Sequence, residues 1–139
     1  MKYVRIQHST AYTAPEVAHS AHVSGKDVAK TVLVKIDDQL AMAVLPANLH
    51  VDLERLREAA DASSVHLATE EEFGGRFPDC ELGAMPPFGH LYDMPVFVAE
   101  ALTQDEAIAF NVGSHRELFQ LPYADFDRLE GPRVVDFAI

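Results

Sequence analysis

Two strand-forming apolar runs, residues 28–36 and 40–45, are separated by three polar residues, Asp37-Asp38-Gln39. A break this short leaves room only for a chain reversal, so the pattern predicts an antiparallel hairpin. Neither run approaches the roughly 18 apolar residues of a membrane span, and residues 1–10 are too polar for a signal peptide. Alternation along the first run puts Val28, Lys30, Val32, Val34 and Ile36 on one side, and Ala29, Thr31, Leu33 and Lys35 on the other. Lys30 therefore shares the more apolar face.

The remaining elements are punctuated by caps and turns. Thr13-Ala14-Pro15-Glu16 reads as a helix start, with a hydroxyl and a carboxylate placed for reciprocal capping, and the helix ends near Gly25. Asp52 caps a second helix, whose Leu53, Leu56 and Ala60 form one apolar stripe. A short strand at 65–68 is followed by Thr69 and three glutamates, a brief helix that Gly74-Gly75 stops. After the loop Gly83-Ala84-Met85-Pro86-Pro87-Phe88-Gly89, strands are expected at 95–99, 106–112 and 118–121, and a last helical turn or two at 124–129. No repeat or linker divides the chain, and 139 residues are enough to bury a core, so residues 1–139 are expected to form one domain. Hairpins mixed with scattered helices predict an α+β domain on a curled, mixed, mostly antiparallel sheet.

Composition narrows the function. The apolar content of 48% and charge of 24% belong to a globular protein, and the single Cys80 can form neither an internal disulfide nor a cysteine metal pair. A reducing, cytoplasmic location is expected. The net charge of −11 argues against general binding to DNA or RNA. Its distribution is uneven, however: residues 1–35 carry five basic and two acidic side chains, the rest six and twenty. That suits a chain that grips one phosphate-bearing end of a ligand and repels long polyanions elsewhere.

Three places can carry chemistry. An ammonium on an apolar strand face is costly unless it meets a carboxylate, a phosphate or a carbonyl to polarise, so Lys30 calls for a partner; the plainer account is a strand-end lysine that snorkels to water. In the Gly83–Pro87 loop, a glycine permits close backbone approach and two prolines stiffen the exit, leaving the amides of Ala84 and Met85 to clasp a small ligand; a rigid turn is the plainer account. Phe88 could stack on a base or simply be buried. Asn111-Val112-Gly113-Ser114-His115 lies where two strands must be joined, and His115 could orient a substrate or move a proton near neutral pH.

Other chemistries fail on spacing. Adjacent Ser114 and His115 side chains diverge, which excludes a nucleophile–base pair. Ser24-Gly25-Lys26-Asp27 lacks the flanking residues of a P-loop. His19 and His22 sit at i and i+3 with only His8 as a third candidate ligand, and a solvated helix face explains them better than zinc. No metal or other cofactor is expected, and no membrane or DNA partner.

Together, Val28-Ala29-Lys30-Thr31-Val32-Leu33-Val34, the Gly83–Pro87 loop with Phe88-Gly89, and Asn111-Val112-Gly113-Ser114-His115 resemble the YbaK family of aminoacyl-tRNA deacylases. That family is related to the editing domain inserted in bacterial prolyl-tRNA synthetase. The resemblance runs from about Thr13 to Leu129 and implies a compact domain with a mixed, barrel-like sheet flanked by helices. It implies trans-editing: hydrolysis of the ester between a wrong amino acid and the 3′-terminal ribose of a tRNA, with the mischarged tRNA and an aminoacyl-tRNA synthetase as partners. By position, Lys30 matches the family's functional lysine. Gly83, Ala84, Met85, Pro86 and Pro87 match its Gly-x-x-x-Pro loop, and Gly113, Ser114 and His115 fall near a pocket position. The lysine's charge would serve the terminal phosphate or the carbonyl as it becomes an oxyanion, with the substrate's own ribose hydroxyl assisting. The competing readings are a non-catalytic module that recognises an aminoacyl or nucleotide group, and a metal hydrolase.

Overall fold

A computed structural model describes residues 4–7, 28–73, 86–104, 107–111 and 117–139. The helix expected from Thr13 and the stop at Gly74-Gly75 lie outside the described residues. The central hairpin is present as β2 (Ala29–Ile36) and β3 (Gln39–Pro46), paired antiparallel from Ala29↔Pro46 to Ile36↔Gln39. Its turn is tighter than the three polar residues suggest. Asp37 and Asp38 alone make it, both with positive φ (48° and 68°), the left-handed geometry that matches the twist of two-residue hairpins. The Asp37 carboxylate secures it from outside by accepting from the Ser63 and Ser64 amides at 2.9–3.2 Å.

The hairpin is the centre of a five-stranded sheet in the order β4-β2-β3-β5-β8. Here β4 (Val65–Leu67) pairs antiparallel with β2, while β5 (Val96–Ala99) and β8 (Arg133–Val135) add in parallel beyond β3. A second sheet places β7 (Glu117–Pro122) between β1 (Val4–Gln7) and β6 (Ala107–Asn111), all antiparallel. Neither β1 nor β8 is foreseen by the sequence pattern. The class is the expected one, α+β with a mixed, mostly antiparallel arrangement. The barrel-like sheet is not closed: among the described residues the two sheets are joined in backbone pairing by a single parallel bridge, Val28↔Ala109.

Two cores explain the apolar runs. Ala29, Leu33, Met42, Val44, Val96 and Val98 of the large sheet meet Ile108, Phe110 and Leu121 of the small one in an inner core, which Phe126 of α3 (Tyr123–Glu130) completes. The opposite face of the large sheet, with Val34, Ala41, Ala43, Leu45, Phe97 and Ala99, packs an outer core around Leu56 and Phe137. Because β3 is buried on both faces, its run is continuously apolar instead of alternating. Leu56 comes from α1 (Leu53–Ala59), where Asp52 Oδ1 accepts from the Glu54 and Arg55 amides at 3.1 Å, the cap anticipated from sequence. The short α2 (Glu70–Phe73) begins with a true capping box. Thr69 Oγ1 accepts from the Glu72 amide at 3.2 Å, and Glu72 Oε1 accepts from the Thr69 amide at 2.8 Å. No helix among the described residues is long and apolar enough to cross a membrane.

Candidate active site

Lys30 lies near the start of β2, on the face opposite the inner core, one step from Val32 and the outer core. It is partly buried, and among the described residues no hydrogen bond or ion pair holds its amine. Burial alone pulls its pKa below the ordinary lysine value of 10.5, since a charged amine loses hydration there. The amine is not free in bulk solvent. Lys30 lines a cavity of about 230 Å³ together with Val32, His50, Val51, Leu53 and Leu67. Four walls are thus aliphatic, and the nitrogen-bearing groups are one amine and one imidazole.

The far wall is fixed by an unexpected element, the end of the chain. Beyond β8, Phe137 plugs the outer core with no exposed surface, and Ala138 forms an antiparallel bridge to Val51. His50 and Ile139 exchange two backbone hydrogen bonds at 2.7 and 2.8 Å, and the Asp52 amide donates to Phe137 O at 2.7 Å. The segment that carries His50 and Val51 is therefore pinned on both sides and then locked by the Asp52 cap of α1.

The bridge between the sheets also brings two sequence motifs together. From the isolated bridge Val28↔Ala109 the two strands leave in the same direction, with Lys30 and Asn111 each two residues further along its own strand. Ile108 and Phe110 face the inner core, so Ala109 and Asn111 face the other way, as Lys30 does. Asn111 is buried, 7% exposed, and opens the Asn111–His115 motif. Gly113, Ser114 and His115 themselves lie outside the described residues, as do Gly83, Ala84, Met85, His8, His19 and His22.

The exit of the proline loop is described. Pro86 and Pro87 are buried, and Phe88 sets its ring edge-on to Phe110 at 5.4 Å and to Phe126 at 5.8 Å. Of the two outcomes open to Phe88, packing in the core is the one realised. This end of the loop is thus anchored on the opposite side of the sheet from Lys30. Gly89 is required where it stands: its carbonyl accepts from the Met94 amide at 2.9 Å, and a side chain there would collide with the Met94 carbonyl and Val96.

On the other edge of β2, Lys35 pairs with Glu72 at 3.1 Å, and His66 approaches the same carboxylate oxygen at 3.5 Å. The Thr69 amide first, then Lys35 and His66, hold the Glu72 carboxyl down to about 2. This cluster ties α2 to β2 and β4 and has a structural use. Leu53 was read from the sequence only as part of a helix's apolar stripe, and His50, Val51 and Leu67 were not singled out; the only signal for His50 was its place two residues before a capping aspartate.

Comparison with known proteins agrees with the motifs. Residues 8–129 match the family described as the aminoacyl-tRNA editing domain. No curated protein matches. Among solved structures, the hypothetical protein APE2540 is similar at a TM-score of 0.86 and 19% identity, over 100% of this chain and 93% of that one. A protein described as a candidate trans-editing enzyme for prolyl tRNA synthetase gives 0.83 and 22%, over 99% and 86%. A protein from Marinobacter aquaeolei VT8, described as a candidate signal transduction protein, gives 0.79 and 20%, over 99% of this chain and 28% of that chain.

Proposed function

Since the chain belongs to the aminoacyl-tRNA editing domain family, we propose that it is a deacylase that hydrolyses the ester of a mischarged tRNA. The observation that carries this reading is the unpaired, partly buried Lys30 amine at the wall of a small apolar cavity. In the proposed reaction a water molecule attacks the acyl carbon, and the carbonyl oxygen becomes an oxyanion that the Lys30 ammonium stabilises. The bond from the acyl carbon to the ribose oxygen then breaks. That oxygen takes a proton, and the free amino acid and the tRNA hydroxyl leave.

Desolvation favours this role, because an ammonium meets little competing water in such a cavity and its attraction to developing charge is correspondingly strong. An ester of this kind is already activated. Positioning plus one electrostatic contact is therefore a sufficient catalyst, with the substrate's neighbouring ribose hydroxyl assisting and no metal invoked. Gly83, Ala84 and Met85, which precede the anchored Pro86-Pro87 end of the loop, are proposed to hold the amino acid, and Gly113, Ser114 and His115 to close the site beside Asn111; the buried Pro86 and Pro87 keep only the role of a rigid anchor. The parallel approach of β6 to β2 supports that second assignment. An association with a synthetase such as prolyl-tRNA synthetase agrees with the name of one structural relative.

A second reading, a non-catalytic module that binds an aminoacyl or nucleotide group, draws support from the same fold occupying 28% of a larger chain described as a candidate signal transduction protein. A panel of mischarged tRNAs separates the two. The enzyme reading expects at least one to lose its amino acid well above the buffer rate. Binding of stable aminoacyl-adenosine mimics without turnover of any member of the panel would favour the module.

A further inference from the structure

The Lys30 cavity has a second polar group with no structural task of its own. His50 is exposed and lines the same cavity, yet its backbone is held by two hydrogen bonds to Ile139, and its neighbours Val51 and Asp52 are tied to Ala138 and Phe137. Ordering an exposed side chain's backbone this firmly limits where its imidazole can reach, which is how a contact residue is held in place. Opposite it, Leu67 is 54% exposed and lines the cavity too, an uncovered apolar surface beside two cationic or donor groups.

The two nitrogen groups differ in how wet they are, and that difference assigns them. A phosphodiester carries a full negative charge, and stripping it of water is far more costly than stripping a neutral ester. The phosphate therefore belongs at the exposed rim and the acyl group against the half-buried amine. We propose that His50 is a positioning residue that donates a hydrogen bond to the phosphate on the 5′ side of the tRNA's terminal adenosine. The acyl carbonyl is thereby placed against Lys30. This rests on the editing reading above for the identity of the nucleotide, and it resolves which of the two anionic groups the lysine serves.

The test compares adenosine 5′-monophosphate with adenosine as probes, by equilibrium titration of the wild-type chain and of His50→Ala and His50→Gln. Loss of one charge-assisted hydrogen bond is worth roughly tenfold in affinity. Wild type is expected to bind the monophosphate about tenfold more tightly than adenosine. His50→Ala is expected to bring the two affinities together with adenosine binding unchanged, and His50→Gln, which keeps a donor, to restore part of the preference. A parallel titration with inorganic phosphate, expected to bind far more weakly, distinguishes a nucleotide site from a bare anion site. A preference for the monophosphate that is absent from wild type, or unchanged in His50→Ala, or matched by inorganic phosphate, overturns the assignment. These readouts need no turnover: failure of every mischarged tRNA in the panel with the phosphate preference intact would sink the deacylase reading and leave His50 standing.

Discussion

At the scale of single residues, Lys30 is the point where sequence and structure meet. Its oddity was legible, because a strand with period-two alternation tells which face each side chain takes and an ammonium on an apolar face stands out. What it faces was not legible. His50, Leu53 and Leu67 come from three separate segments, and Val51 is placed by a bridge to Ala138, a contact between residues 87 positions apart. The lowered pKa of Lys30 has a consequence for stability. Burial disfavours the protonated amine in the folded chain, so its cost is present in full at pH below the lowered folded value. That cost is relieved as pH rises from there towards the ordinary 10.5. Lys30→Met should therefore raise the melting temperature at neutral pH by a few degrees at most while removing deacylation. A thermal scan beside a deacylation assay checks this, and a clear drop in melting temperature would mean that the amine has a structural partner.

At the scale of elements, local chemistry was read well among the described residues where a cap or turn acts over three or four residues. The Asp52 cap, the Thr69 capping box and the central hairpin are all where their side chains demand. The two missed strands have no such signal: β1 is a four-residue edge strand reading Val-Arg-Ile-Gln, and β8 owes its place to parallel pairing with β5, more than thirty residues back in the chain. The hairpin turn yields a prediction of opposite signs at adjacent positions. Asp38 sits at φ 68° with no hydrogen bond given to its side chain among the described residues, so Asp38→Gly should stabilise by about 0.5–1 kcal/mol. Asp37→Gly should instead destabilise, because it removes the acceptor of the Ser63 and Ser64 amides. Denaturant midpoints of the two variants decide it. For α2, Glu72 is the pH-sensitive part. Its carboxyl is held down to about 2, so its contribution is present above the ordinary 4.5 and lost as pH falls from there through about 2. Hydrogen exchange at the Phe73 amide, which donates to Thr69 O, should lose protection across that window after correction for intrinsic rates. In Glu72→Gln, which keeps the cap acceptor but not the charge, the protection should be flat with pH.

At the scale of the whole molecule, the α+β class followed from the order of hairpins and helices, whereas the number of sheets did not. A continuous apolar run such as that of β3 says that both faces are covered without saying by what. The answer is the small sheet on one side and α1 with the C-terminal segment on the other. The charge pattern, five basic and two acidic residues in positions 1–35 against six and twenty in the remainder, limits how a tRNA can be held. Few phosphates can be contacted, so the logarithm of tRNA affinity against that of salt concentration should fall with a slope no steeper than about −3. A slope of zero would count against a nucleic acid substrate. The proposed ester hydrolysis at the desolvated Lys30 amine is put to the test by deacylation of mischarged tRNA with wild type and Lys30→Ala side by side. The expected result is a rate loss of about 10²–10³-fold in a variant that melts like wild type; full activity without the amine would contradict the account.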